Sequence, residues 1–205
     1  FEPDADSVAA VEVVTFDAGT QGGPNGLAFD DSGRLWITTE NVALLCPESG
    51  VDITANTGGL YYVDIAGDTI GDLTARLQGF AMFGDGLAFD ADGNLYVIFD
   101  HFDGFNLLSS AVWLVPMDAG CNQAGVPRVP IQVQCDPVMV ASVAVPDSAT
   151  SPDRLIANMA WGGDAFGSGT VYFSLLAVPL VAAERGAMVV EFDIAGRSLL
   201  PADLP

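Results

Sequence analysis

The sequence predicts an all-β fold, a β-propeller of four-stranded antiparallel blades with about three blades present. Three observations carry this: one hairpin occurs twice at a fixed interval, each copy turns on an Asp-rich segment ending in Gly, and two further strand-like segments follow each copy. Residues 26–40 read GLAFDDSGRLWITTE and residues 86–100 read GLAFDADGNLYVIFD, an offset of 86 − 26 = 60 residues. Each copy has a short apolar strand, a tight turn, and a second strand rich in aromatic and β-branched residues, the pattern of a β-hairpin. A repeat of this length is the mark of a propeller or solenoid.

The elements follow in order. Gly33 and Gly93 sit where the turn needs a positive φ, and the Asp residues before them can bond their own backbone. The DADG of Asp90–Gly93 lacks the further ligands and distant Glu of a calcium loop, so it reads as a turn. The third and fourth strands of the first unit are placed at 59–65 and 72–78, and those of the second at 111–117 and 128–134. A degenerate third unit is read from SVAVPD near Ser142, through 154–161 and 170–176, to 187–194. Residues 11–17 alternate as a strand and suit the outer strand of a preceding blade. The boundaries are therefore 1–21 for that outer strand, 22–80, 81–137 and 138–205 for the three blades. Three blades leave an apolar flank at each end, which predicts that further blades of the same protein, or a protein partner, complete the ring.

Composition excludes several classes of function. Of the 205 residues, 27 are acidic and 6 basic, a formal charge of −21. All the basic residues are Arg. A field of that sign repels phosphate backbones and anionic lipid, so nucleic acid and membrane surfaces are poor partners, no membrane insertion is expected, and cations are favoured. The acids either keep a hydrophobic β-protein in solution or include metal sites. The apolar run from Val171 to Ala183 is broken by Pro179 and too short to span a bilayer. Phe1 opens directly into acidic residues, so an exported form would have shed its leader before that point.

Cys121 and Cys135 bracket a Pro-containing segment that reads as a hairpin. They are either a disulfide, worth roughly 3 kcal/mol at that loop length in an oxidising compartment, or two thiols. Cys46 is then left buried or paired with another chain. His101 is the lone His and lies among aromatic residues, which suits packing better than catalysis. No Ser nucleophile elbow is present, and the Gly-rich 162–169 has neither Lys nor a following helix, so it is a loop and not a phosphate cradle. Trp36, Tyr96, Trp113 and Trp161 fall in strands and are expected to pack between blades.

The stretch from Gly23 to Glu40, GPNGLAFDDSGRLWITTE, resembles the hairpin motif of the SMP-30/gluconolactonase-like propellers, and more loosely that of NHL-repeat and PhoX-type propellers. The resemblance implies a central divalent cation, usually calcium, held by carboxylate and Asn side chains, with Asn25 of the PNG turn as one ligand. The repeat points independently to the same place. Asn25 and Asp85 are equivalent, each before the Gly that opens an innermost strand, and Glu40 and Asp100 are a second equivalent pair at the ends of the second strands. Oxygen ligands converging near an axis suit a hard cation, although Asn and Asp before Gly are also ordinary turn residues. The sequence departs from the family in having no Glu-Gly-Pro motif, and the third unit is read as placing Ala141 where Asn25 and Asp85 stand.

Two functions follow. One is a non-catalytic propeller module of an exported or cell-surface protein, for assembly or ligand binding, in an extracellular, cell-surface or periplasmic setting. The other is a calcium-dependent lactonase or esterase, of which this chain is a portion, with Asp85 the candidate for managing a proton.

Overall fold

Antiparallel pairing dominates the chain because its apolar residues alternate and its turns carry the Gly and Asp that hairpins require. The structure is a computed structural model that describes residues 13–67, 69–90, 92–104, 106–117, 137–143, 153–161, 170–178 and 188–193. Four strands build the first blade: β1 (Gly23–Phe29), β2 (Arg34–Glu40), β3 (Gly58–Ala66) and β5 (Thr74–Ala81), paired in that order, with a two-residue strand β4 (Thr69–Ile70) folded back on the end of β3. A second blade repeats the plan with β6 (Phe83–Phe89), β7 (Leu95–Asp103), β8 (Asn106–Val115) and β9 (Val138–Val143). Glu40 pairs with Phe83, so hydrogen bonding runs on from the first blade into the second. The third sheet holds β10 (Asp153–Trp161), β11 (Thr170–Val178) and β12 (Met188–Asp193).

The sheets stack rather than extend as one plane. Strand β6 lies against β1 on one side and β10 on the other, which brings the first strand of each sheet together as the innermost layer of a propeller segment. Close approach requires small residues at these crossings. A Cβ on Gly26 would stand 2.5 Å from the Asp85 carbonyl oxygen, and one on Gly86 would stand 2.4 Å from Asn158 Oδ1.

Two cores form between the sheets. Trp36, Leu60 and Leu77 of the first meet Leu87, Leu95, Val97 and Phe99 of the second. Tyr96, Ile98 and Val112 from the opposite face of the second sheet meet Ile156, Met159, Val171 and Phe173 of the third. Trp36 and Tyr96 are buried and Trp113 and Trp161 half-buried, so the four aromatics pack between blades as expected. The turn at Asp30 shows how the hairpin is held. Its carboxylate accepts from the Ser32 and Arg34 amides, the Ser32 hydroxyl and Trp36 Nε1. Burial pushes this carboxyl up, but the bonds from Ser32 and Trp36 outweigh it and hold the group below its ordinary range. Asp90 does the same for Asp92 and Asn94, and Gly33 and Gly93 take φ of 82° and 77°.

Several expectations change. The strand closing the second blade is β9, whereas the sequence reading assigned 138 onward to the third blade; the segment it proposed instead, 128–134, lies outside the described residues, as do Cys121, Cys135 and the loop 162–169. Alternation alone could not choose between 128–134 and 138–143, because both are short apolar runs behind β8. The innermost strand of the third sheet is β10, not SVAVPD. Residues 13–17 form no ladder, so the described part of the predicted outer strand at 11–17 is not a strand; Phe16 instead packs edge-on against Tyr61 at 5.4 Å. Between β2 and β3 the chain makes a short helix (Val42–Leu45), capped by Asn41, and a 3-10 turn at Pro47–Ser49, neither of which alternation could signal. Cys46 is free and exposed, not buried.

Candidate functional site

The four residues singled out from the repeat, Asn25, Glu40, Asp85 and Asp100, come from the inner two strands of the two matching blades. Their local backbone explains their aim. Pairing between β1 and β2 shifts register between Pro24 and Leu27, and pairing between β6 and β7 shifts between Gly84 and Leu87. Asn25 and Asp85 each lie in that bulge, where an extra residue re-aims a side chain. Glu40 ends β2 as expected, whereas Asp100 lies inside β7, which runs on to Asp103; both pair with Phe83, one from either side. Strand β6 therefore runs between the two acids and carries the third, Asp85, two residues further on.

All three carboxylates are buried: Glu40 is 8% exposed, Asp85 7% and Asp100 0%. Asn25 Nδ2 donates to Glu40 Oε2 at 3.0 Å. Burial pushes the Glu40 carboxyl up to about 7, against the pull of the Asn25 bond. Burial first, and the Glu40 charge second, push Asp85 up to about 7, with the Gly86 amide opposing. Asp100 is held well above the carboxylate range by burial, with the charge of Asp85 adding to it and the Ser110 hydroxyl working the other way. Neither Asp100 oxygen makes a hydrogen bond of acceptable geometry. Ser110 Oγ accepts from the Ile156 amide at 2.7 Å, which leaves its proton as the group that can turn toward Asp100.

The arrangement is a chain of coupled acids, Glu40 to Asp85 to Asp100, with no cation among the groups that set their ionisation. Such a chain gives up its protons in shared steps and near neutrality holds fewer charges than it has carboxyls. Buried carboxylates in this state can hold a proton for transfer or accept a cation in its place. Among the described residues, no three His, Cys, Asp or Glu side chains converge closely enough to hold a metal ion by themselves.

The third sheet breaks the pattern. Its bulge lies between Ile156 and Asn158, and its register puts Ala157 at the position of Asn25 and Asp85, and Leu176 at that of Glu40 and Asp100. The residue equivalent to Asn25 is thus Ala157 and not Ala141, which sits on β9 opposite Val112. Two participants escaped the sequence reading. Ser110 faces Asp100, and Thr38 Oγ1 donates to the Asp85 carbonyl at 2.5 Å while accepting from the Gly26 amide at 2.8 Å, tying the two innermost strands together. A hydroxyl inside a strand carries no signal until the neighbouring blade is in place. His101 stands half-buried near the rings of Phe80 and Trp113, and burial lowers its basicity, which fits its reading as a packed residue. Among the described residues, no helix is long and apolar enough to cross a membrane.

No protein-family model matches the chain. No curated protein matches it significantly. A search of solved structures finds similarity to an X-ray structure of a protein proposed to be a gluconolactonase, at 18% identity and a TM-score of 0.44, covering 87% of this chain and 48% of that one. The chain thus spans about half the length of the solved structure it matches.

Proposed function

We propose that this chain is a portion of a calcium-dependent hydrolase of lactones or esters, with its site at the inner ends of the first two blades. The observation that carries the reading is the burial of Glu40, Asp85 and Asp100 as a coupled group without a counter-charge, next to Asn25 in the PNG turn that resembles the gluconolactonase-like motif. A fold does not need such a group, and clefts where titration is displaced are where chemistry is found. The donors fit the cation in kind. Asn25, Glu40, Asp85 and Asp100 offer only oxygen to a hard ion, and both Asp100 oxygens are buried without partners. Together with ligands from beyond the described residues, since these side chains do not converge into a metal site by themselves, they would hold the ion, which when bound would polarise a carbonyl. Asp85 is the candidate for taking and returning the proton. An extracellular, cell-surface or periplasmic setting, where calcium is plentiful, goes with this reading.

The loss of both acidic positions in the third sheet favours a second reading, a non-catalytic propeller module that binds a cation for assembly. One pair of measurements separates them. At about 10 mM calcium a site of about 0.1 mM affinity stabilises the fold by roughly 2.7 kcal/mol, read as a rise in melting temperature. Wild type should show that rise and hydrolyse a simple lactone or aryl ester, and Asp85→Asn should abolish hydrolysis. A rise without hydrolysis leaves the binding module, and no rise removes both cation readings.

A further inference from the structure

Both stacks of sheets carry an edge-on aromatic pair, Trp36 on Phe89 and Tyr96 on Trp161, and each stack is also tied by one buried hydroxyl. The two hydroxyls are used differently. Between the first and second sheets, Thr38 Oγ1 donates to the Asp85 carbonyl and accepts from the Gly26 amide, so its proton and its lone pair are both taken by backbone. Between the second and third, Ser110 Oγ accepts from the Ile156 amide at 2.7 Å, and among the described residues its proton forms no bond of its own. Ser110 is 0% exposed, so water does not take that proton. The residue directly opposite in the β7–β8 ladder is Asp100, on the same face and also 0% exposed, with both carboxylate oxygens lacking a partner. A donor without an acceptor thus stands across from an acceptor without a donor, and a hydroxyl hydrogen rotates to suit.

We propose that Ser110 is a positioning residue of the acid site: its proton orients Asp100 while its lone pair seats the Ile156 amide of the third sheet, so a cation on Asp100 and the docking of β10 strengthen each other. The inference rests on the cation-binding reading above and holds for either form of it. A carboxylate held by a hydroxyl at one oxygen turns the other toward an ion, and ligating carboxylates are commonly braced in this way. Donation into the charge polarises Oγ and makes it a better acceptor for Ile156, and a coupling of binding free energies acts equally in both directions. The third sheet needs such a link. It carries Ala157 and Leu176 where the other blades carry Asn or Asp and Glu or Asp, while Ile156, at the start of the β10 bulge, is 1% exposed in the second core.

Calcium alone is the probe. In wild type, saturating calcium should slow amide hydrogen exchange at Ile156. Ser110→Ala, checked for folding by circular dichroism, should need about 10–100-fold more calcium to reach its midpoint, with exchange at Ile156 the same with and without the ion. Ser110→Thr keeps the hydroxyl and should stay near the wild-type midpoint; a folded Thr variant as weak as the Ala variant overturns the proposal. A hydroxyl that only braces the sheets would lower the melting temperature of Ser110→Ala equally with and without calcium and leave the calcium midpoint in place, which overturns it too. Exchange at Ile156 unchanged by calcium in a wild type that binds the ion also overturns it and needs no variant to fold. A wild type that binds no calcium removes the cation reading itself, and this inference with it.

Discussion

Replacing Asp85 by Asn should make the metal-free protein more stable at alkaline pH and leave it unchanged in acid. Asp85 is 7% exposed, and its carboxyl is pushed from 3.8 up to about 7. A displacement of about three units corresponds to roughly 4 kcal/mol at about 1.4 kcal/mol per unit. The folded value lies above the unfolded one, so the sign is that of a penalty. Below about pH 4 both states carry the proton and the penalty is absent. Between about pH 4 and pH 7 the unfolded chain ionises while the folded carboxyl keeps its proton, and stability falls; above pH 7 the whole penalty is present. The amide removes it at the cost of little volume. Urea or thermal unfolding in chelator, at pH 3.5 and pH 8.5, should find the variant equal to wild type in acid and more stable by roughly 4 kcal/mol in base, near 10 °C in melting temperature for a chain of this size. Because the Asp85 charge also acts on Asp100 and that of Glu40 on Asp85, adding Glu40→Gln should gain less than the sum of the single variants. A variant no more stable than wild type at pH 8.5, or one with the same advantage at pH 3.5, would refute the account of these acids as buried without a counter-charge.

Other consequences follow from packing. Gly26→Ala would push its Cβ to 2.5 Å from the Asp85 carbonyl oxygen and 2.7 Å from Thr38 Oγ1, so it should cost about 1–3 kcal/mol or more in urea unfolding and separate the two innermost strands. Trp36→Ala empties the first interface of a side chain 1% exposed and strips Asp30 of its indole bond, an expected loss of about 3–5 kcal/mol; a loss under about 1 kcal/mol would mean the first two sheets do not stack as described.

The hairpins were legible because a tight turn and a close crossing each demand particular letters. Gly33, Gly93, Gly26 and Gly86 cannot be freely exchanged where they stand, so two copies of one hairpin remain recognisable sixty positions apart. The third sheet satisfies the same packing with different letters. Met159 fills the place of Leu27 and Leu87, and Asn158 that of Gly26 and Gly86, so only the ladder to β11 reveals its register. The outer strand of the first blade was read correctly and that of the second was misassigned for a related reason: β9 pairs with β8 alone and is bounded by residues whose pattern constrains nothing. At the site, the equivalence of Glu40 with Asp100 could be read from the offset. Their depth could not, because an acid on a strand carries no mark of its exposure until a neighbouring blade covers it.

The third sheet also answers whether the buried acids are only a feature of the fold. It stacks on the second through Ile156, Met159, Val171 and Phe173, with the same aromatic pair at its edge, while carrying Ala157 and Leu176 where the other two blades carry Asn or Asp and Glu or Asp. Stacking therefore needs no polar group at either position. Three carboxylates in the first two blades are nevertheless buried, and each displaced carboxyl is a cost above neutral pH that apolar residues at the same register would remove. A cost that packing neither requires nor offsets is the ground on which these acids are proposed as a site, and the Asn25 bond to Glu40 joins them to the opening turn of the first blade.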